Sequence, residues 1–222
     1  VGASSTYKLK NDDELDYFFA TKPSYIQFII EELVPGHVET FDGITDKDKN
    51  ILICSSHVML NSIMDNVNEL SDTAFYSQPV EGLDLYEIGK KVVEAFDTRS
   101  RFYHFEFFRL DEDKEGLGRK GDIVGLEVNM RAPGAYMPDM IDFAYNVDVY
   151  TIWADMIKYN QCFYDIHREY WVAYTGRREG IWYMHNYDQI RETYGQNIAL
   201  ETDVPESLSG AMGNHVFIVK SK

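Results

Sequence analysis

The stretch Leu126-Glu127-Val128-Asn129-Met130-Arg131 holds the residue types best suited to chemistry in this chain. Read as a strand, its period of two sends Glu127, Asn129 and Arg131 to one face and Val128 and Met130 to the other. An acid, an amide and a guanidinium then stand in one row. A second run, Tyr103-His104-Phe105-Glu106-Phe107-Phe108, carries one carboxylate among aromatics, and Glu106 shares its face with His104 and Phe108. The charged, glycine-containing residues 111–121 between the two runs read as a solvated loop, and a hairpin through it lays Glu106 beside Glu127. Two carboxylates and a carboxamide on adjacent strands are hard oxygen donors of the kind Mg²⁺ takes, with positions left for phosphate oxygens. Arg131, at the end of the row, is suited to hold a phosphoryl or carboxylate oxygen. The plainer alternative is an exposed face whose charges pair across strands. Carboxylates among aromatic and apolar neighbours need partners, however, and a metal is a natural one.

Two further segments bear on this row. Ala132-Pro133-Gly134-Ala135-Tyr136 reads as a turn that brings backbone N–H groups near whatever Arg131 holds, with Asp139 and Asp142 just beyond. Upstream, Glu31-Glu32-Leu33-Val34 ends in the tight turn Pro35-Gly36, and Glu39 follows Glu32 by seven residues. Such a segment can present backbone groups to a purine with Glu39 in reach of a ribose; an ordinary hairpin is the competing reading. His57 and His104, lone histidines in apolar strand-like runs, read as hydrogen-bonded core residues. No phosphate-binding Walker loop, nucleophile elbow, Cys-x-x-Cys pair or zinc-type His-Glu-x-x-His occurs.

These residues need elements to position them. A short strand is expected at 6–10, then Asn11 as N-cap of a helix over 12–20, and a β-rich run at 25–34. Strands at 38–44 and 50–57 flank the polar turn Asp46-Lys47-Asp48-Lys49-Asn50. Leu85, Ile88, Val92 and Phe96 recur at helical spacing, with Asp84 and Glu87 placed as a capping pair. Strands at 102–110 and 122–130 follow, then a helix opened by Pro138 and another over 148–159. Residues 168–222 alternate strand-like runs with one helix near 187–194.

Bulk properties set the outer limits. A chain of 222 residues, 45% hydrophobic and 14% aromatic, buries a real core. A formal net charge of −16 disfavours nucleic acid and anionic membranes as partners, and the basic pair Arg177-Arg178 is no patch. Cys54 and Cys162 lack ligand spacing and fit a reducing cytoplasm. No apolar run reaches membrane-spanning length, and the first residues lack the pattern of a signal peptide. The absence of an initiator Met suits a fragment of a longer protein.

The run Glu127-Val128-Asn129-Met130-Arg131 resembles the metal signature of ATP-grasp enzymes, and Arg131-Ala132-Pro133-Gly134 is similar to a turn common in the carboxylate-amine ligases among them. The resemblance extends over roughly residues 1–160. It implies an α+β chain forming the C-terminal portion of an ATP-grasp fold, with antiparallel sheets flanked by helices in two lobes. Residues 1–80 would be the remainder of the small lobe, with its adenine hinge; residues 81–222 would be the large lobe, with the metal site and a C-terminal extension. The implied cofactors are ATP and Mg²⁺, with Mn²⁺ as the alternative ion. Residue by residue, Glu106 resembles the first magnesium ligand, Glu127 the bridging ligand and Asn129 the third. Arg131 resembles the arginine that steadies the transferred phosphate or acyl phosphate. Glu31, Glu32, Leu33 and Val34 are similar to the hinge that reads adenine, and Glu39 to the ribose-binding acid. Gly2, Ala3 and Ser4 are similar to the end of the glycine-rich loop over the phosphates; the family's phosphate-binding lysines upstream of that loop are not in this chain. The implied partners are a small-molecule carboxylate and an amine, amino acids among them, and a homo-oligomer is compatible with the reading. A bicarbonate-activating enzyme resembling carbamoyl-phosphate synthase or biotin carboxylase is one alternative. A non-catalytic nucleotide-binding module is the other.

Overall fold

A computed structural model describes residues 6–62 and 71–222. The first helix, α1 (Asp12–Thr21), starts where Asn11 leaves the extended region and its side chain accepts from the Glu14 backbone N–H at 2.9 Å. Asp12, Asp13 and Glu14 then place three carboxylates in the first turn, where the helix dipole favours them. The strands expected at 6–10 and 25–34 do not form. No ladder partner is offered to either segment among the described residues. Their aromatic rings pack on α1 instead, with Tyr7 and Phe28 at 5.0 and 5.2 Å from Phe18 between centroids.

From residue 36 the chain builds a sheet. Its strands are β1 (Gly36–Thr45), β2 (Ile51–Met59), β3 (Thr73–Gln78), β4 (Arg101–Leu110), β5 (Ile123–Asn129), β6 (Trp171–Arg177), β7 (Ile198–Asp203) and β8 (His215–Ser221). They form one eight-stranded antiparallel sheet in the order β5-β4-β1-β2-β3-β6-β8-β7, so β5 and β7 are its edges. The β1–β2 turn is tied by Asp46, whose carboxylate accepts from Asp48 N, Asn50 N and Asn50 Nδ2, each at 2.8 Å. The sheet runs across residue 80, with β1 paired to β4 and β3 to β6.

Strand alternation divides the core in two. On one face Phe41, Tyr103, Phe105 and Phe107 pack with Leu85 and Val93 of α2 (Asp84–Ala95). Gly89 is required there, since a Cβ at that point would lie 2.3 Å from the Phe41 ring. On the other face Ile44, Ile53, Phe75, Phe102 and Tyr174 pack with α3 (Met137–Tyr145) and α4 (Val149–Tyr159). Pro138 lies in the first turn of α3, and Asp148 caps α4 by accepting from Tyr150 N and Thr151 N. The capping pair expected at Asp84 and Glu87 is absent: Leu83 holds the N-cap without a side-chain bond, and Arg109 holds Asp84. Helix α5 (Tyr187–Tyr194) starts on a capping box of Asn186 and Gln189. β3, β7 and α6 (Glu206–Met212) were not foreseen. Among the described residues no helix is long and apolar enough to cross a membrane.

Candidate metal and nucleotide site

The hairpin of β4 and β5 sets Glu106 opposite Glu127 and His104 opposite Asn129. All four side chains therefore leave the same face, the one covered further along by α3 and α4, and their Cα pairs are about 5 Å apart. The register slips between Glu106 and Phe107, so Leu126 is the extra residue of a bulge beside Glu127. Val128 and Met130 turn to the opposite face and pack against the aromatic core of α2. That anchors the strand from behind.

Each donor in this row has capacity to spare. Glu127 is exposed, and its carboxylate has no hydrogen bond or ion pair among the described residues. Glu106 gives Oε1 to His104 Nε2 at 2.9 Å, which leaves Oε2 free. The Asn129 amide nitrogen is buried with no hydrogen-bond partner. Two carboxylates with a carboxamide beside them, whose nitrogen the protein does not pin, carry the oxygen donors a hard cation takes, so these residues fit Mg²⁺ or Mn²⁺ through Glu106, Glu127 and the Asn129 amide oxygen. Among the described residues no three His, Cys, Asp or Glu side chains are arranged to hold a metal ion by themselves, so a site here depends on the asparagine.

Behind Glu106 runs a buried polar chain. His104 Nδ1 lies 2.5 Å from Asp42 Oδ1, and His57 Nδ1 lies 2.8 Å from Asp42 Oδ2. The Thr40 hydroxyl donates to Asp42 Oδ2 at 2.5 Å and accepts from the His57 backbone N–H at 3.0 Å. Thr40, Asp42, His57 and His104 are all buried. Both nitrogens of His104 face carboxylates, and a neutral imidazole donates from only one, so the ring is held as the imidazolium. Burial alone would push the His104 pKa down, but the Asp42 charge and the hydrogen bonds to Asp42 and Glu106 outweigh it and raise it to about 10. Burial likewise works against the Asp42 charge, yet the His104 charge and the two histidine hydrogen bonds hold its carboxyl well below the usual range.

The remaining expected residues fall elsewhere. Strand β5 ends at Asn129, so Arg131 lies past it, exposed, with one guanidinium N–H donating to Ala132 O at 3.0 Å. Glu31, Glu32, Leu33 and Val34 sit in irregular chain entering β1, with the first three exposed and Glu32 paired to Lys114 at 2.8 Å. Glu39 departs from the ribose expectation in two ways. Its neighbours Thr40 and Asp42 lie on the face of Glu106 and Glu127, so alternation turns Glu39 to the other side of the sheet. There it is buried and held by both ends of Arg109, at 2.8 and 2.9 Å, while Arg109 also binds Asp84. Gly2, Ala3 and Ser4 lie outside the described residues. Asp142 is structural: it accepts from Val149 N at 2.8 Å, joining α3 to α4, and burial, with Asp148 and Asp139 near, pushes it up to about 7. Sequence reasoning did not single out Asp42, Thr40 or Arg109. The available signal was an acid at Asp42 between Phe41 and Ile44, within a strand that reads as core.

No family model matches the sequence, and a search of curated proteins finds no match. Solved structures do match the fold. An L-amino acid ligase from Bacillus licheniformis superposes with a TM-score of 0.60 at 12% identity, over 85% of this chain and 49% of its own. A phosphoribosylglycinamide synthetase from Anaerococcus prevotii gives 0.54 at 16% identity, over 96% of this chain and 56% of its own. The phosphoribosylaminoimidazole carboxylase ATPase subunit from Aquifex aeolicus gives 0.55 at 13% identity, over 88% and 57%. The chain has the ATP-grasp fold, α+β with an antiparallel sheet, and it spans about half the length of the structures it resembles.

Proposed function

We propose that this chain is the metal-binding portion of an ATP-dependent ligase that activates a carboxylate as an acyl phosphate and joins it to an amine. The observation that carries this reading is the row of Glu106, Glu127 and Asn129 on one sheet face, with the Glu127 carboxylate unpartnered among the described residues and one Glu106 oxygen left over from His104. When bound, Mg²⁺ supplies neutralisation of phosphate charge, the main requirement of phosphoryl transfer. The chain's own residues do the rest. Glu106 and Glu127 face each other across the hairpin and set where the charge centre lies. Asn129 adds a neutral oxygen, which keeps the site from becoming so anionic that it repels the nucleotide. Arg131, exposed and bonded among the described residues only to the neighbouring Ala132 carbonyl, would meet an anionic oxygen of the acid or of the acyl phosphate. Glu31 to Val34, at the mouth of β1, offers backbone groups to adenine. The match to a structure named as an L-amino acid ligase supports amino acids as the acid and the amine.

The test is calorimetric titration of the chain with a non-hydrolysable ATP analogue, with and without Mg²⁺, beside Glu127→Ala. Magnesium-dependent binding that Glu127→Ala abolishes is the expected outcome. Because Glu127 is exposed and unpartnered, the variant should keep its stability within about 0.5 kcal/mol. Equal binding by both proteins would remove Glu127 from the site.

A further inference from the structure

We infer that His104, backed by Asp42, is a positioning residue that restricts Glu106 to a single oxygen for the cation. The inference rests on the metal reading above and goes beyond it, because it assigns the denticity of one ligand and the residue that sets it. A free glutamate on a strand swings through several rotamers and binds a cation through one oxygen or both. Glu106 is not free in this sense. Its Oε1 is taken by His104 Nε2 at 2.9 Å, and only Oε2 is left uncommitted on the strand that pairs with Glu127 and Asn129.

The imidazole that takes Oε1 has no freedom of its own. Its other nitrogen is 2.5 Å from Asp42 Oδ1, and the second Asp42 oxygen is held by His57 and Thr40. Asp42 and His57 have no exposed surface, and the His57 ring meets Phe75 edge-on at 6.2 Å between centroids. The restraint therefore runs from the middle of the sheet, at β2, through β1 and β4, to a ligand next to the edge strand. An outer partner of this kind reduces the rotamer freedom the ligand must lose when the ion binds. It also keeps the carboxylate from chelating through both oxygens, so the ion retains a position that Mg²⁺ can give to a phosphate oxygen or water.

Two experiments test this. The first counts Mn²⁺ bound to the 222-residue chain from the free-ion signal in electron paramagnetic resonance. The proteins are wild type, Glu127→Ala, His104→Gln and His104→Leu, each checked for folding by circular dichroism. Glutamine keeps an N–H near the position of Nε2; leucine keeps none. His104→Leu should weaken Mn²⁺ binding by about 10-fold or more, and His104→Gln should recover most of that loss. A folded His104→Leu that binds Mn²⁺ like wild type overturns the positioning role. If Glu127→Ala also leaves binding unchanged, or wild type takes up no Mn²⁺, the metal reading itself falls. The second experiment needs no variant: a crystal structure of the wild-type chain with Mn²⁺. One Glu106 oxygen on the ion with the other still on His104 is the expected result. A bidentate Glu106 with His104 turned away overturns the inference even if His104→Leu does not fold.

Discussion

Asp42→Asn replaces a buried carboxylate by an amide of the same shape, and two contributions fix its cost. Asp42 has no exposed surface and faces an imidazolium at 2.5 Å, so neutralising it leaves the positive charge of His104 with only Glu106 for a partner. Removing one member of such a buried pair costs about 3 kcal/mol or more. The pH dependence gives an independent measure. His104 has an ordinary value of 6.5 and is raised to about 10 in the folded chain. Above pH 6.5 the unfolded chain has lost that proton while the folded chain keeps it. Unfolding therefore releases a proton, and the stability from this group, complete below pH 6.5, declines as pH rises toward 10. The slope between those limits is about 1.4 kcal/mol per pH unit. Urea denaturation at intervals from pH 6 to 9 measures both effects. Wild type should lose stability across that range, and Asp42→Asn should be less stable at pH 6.5 with a flatter pH dependence. Equal stability of the two proteins at pH 6.5, with parallel curves, would refute the buried ion pair.

Two other changes probe the frame around the site. Arg109→Ala strands the buried Glu39 carboxylate without its two-point partner, and thermal melts should show a loss of about 3 kcal/mol. Arg109→Lys should recover only part, because a single ammonium cannot span Glu39 and Asp84 as a guanidinium does; full recovery would reduce the contact to simple charge. Gly89→Ala should lower stability by about 1–3 kcal/mol in chemical denaturation despite alanine's better helix propensity, since its methyl would meet the Phe41 ring at 2.3 Å. A gain in stability would mean that this ring has room to move.

The row of Glu106, Glu127 and Asn129 was legible as an arrangement because it depends on two local facts, strand alternation and a hairpin, and both are written in neighbouring residues. Glu106 opposite Glu127 follows from the runs 102–110 and 122–130 and the loop between them. What lies behind Glu106 was not legible, because Asp42 and His57 reach it through strands far away in the chain. Histidines in apolar runs read as core, and His57 and His104 are buried and bonded as expected; which atoms they bond is a matter of sheet order. The segment 25–34 shows the opposite failure. Its β-branched and aromatic composition suggests a strand, yet Tyr25, Ile29 and Ile30 are exposed and no ladder pairs with them among the described residues. Propensity describes fit to a sheet and cannot supply the neighbouring strand. Strands β3 and β7 were missed for the converse reason: short and mixed in composition, they are strands because β2, β6 and β8 pair with them.

The bulge at Leu126 bears on association as well as on the site. β5 is an edge strand, and among the described residues no strand pairs with its outer side. Such an edge is a template for a second polypeptide unless something makes it awkward to copy. The extra residue breaks the even spacing an incoming strand would need, and the exposed Glu127 charge would be brought against that strand and desolvated. The residues that gather oxygen donors on this rim thus also make the edge an uneven template for a further strand.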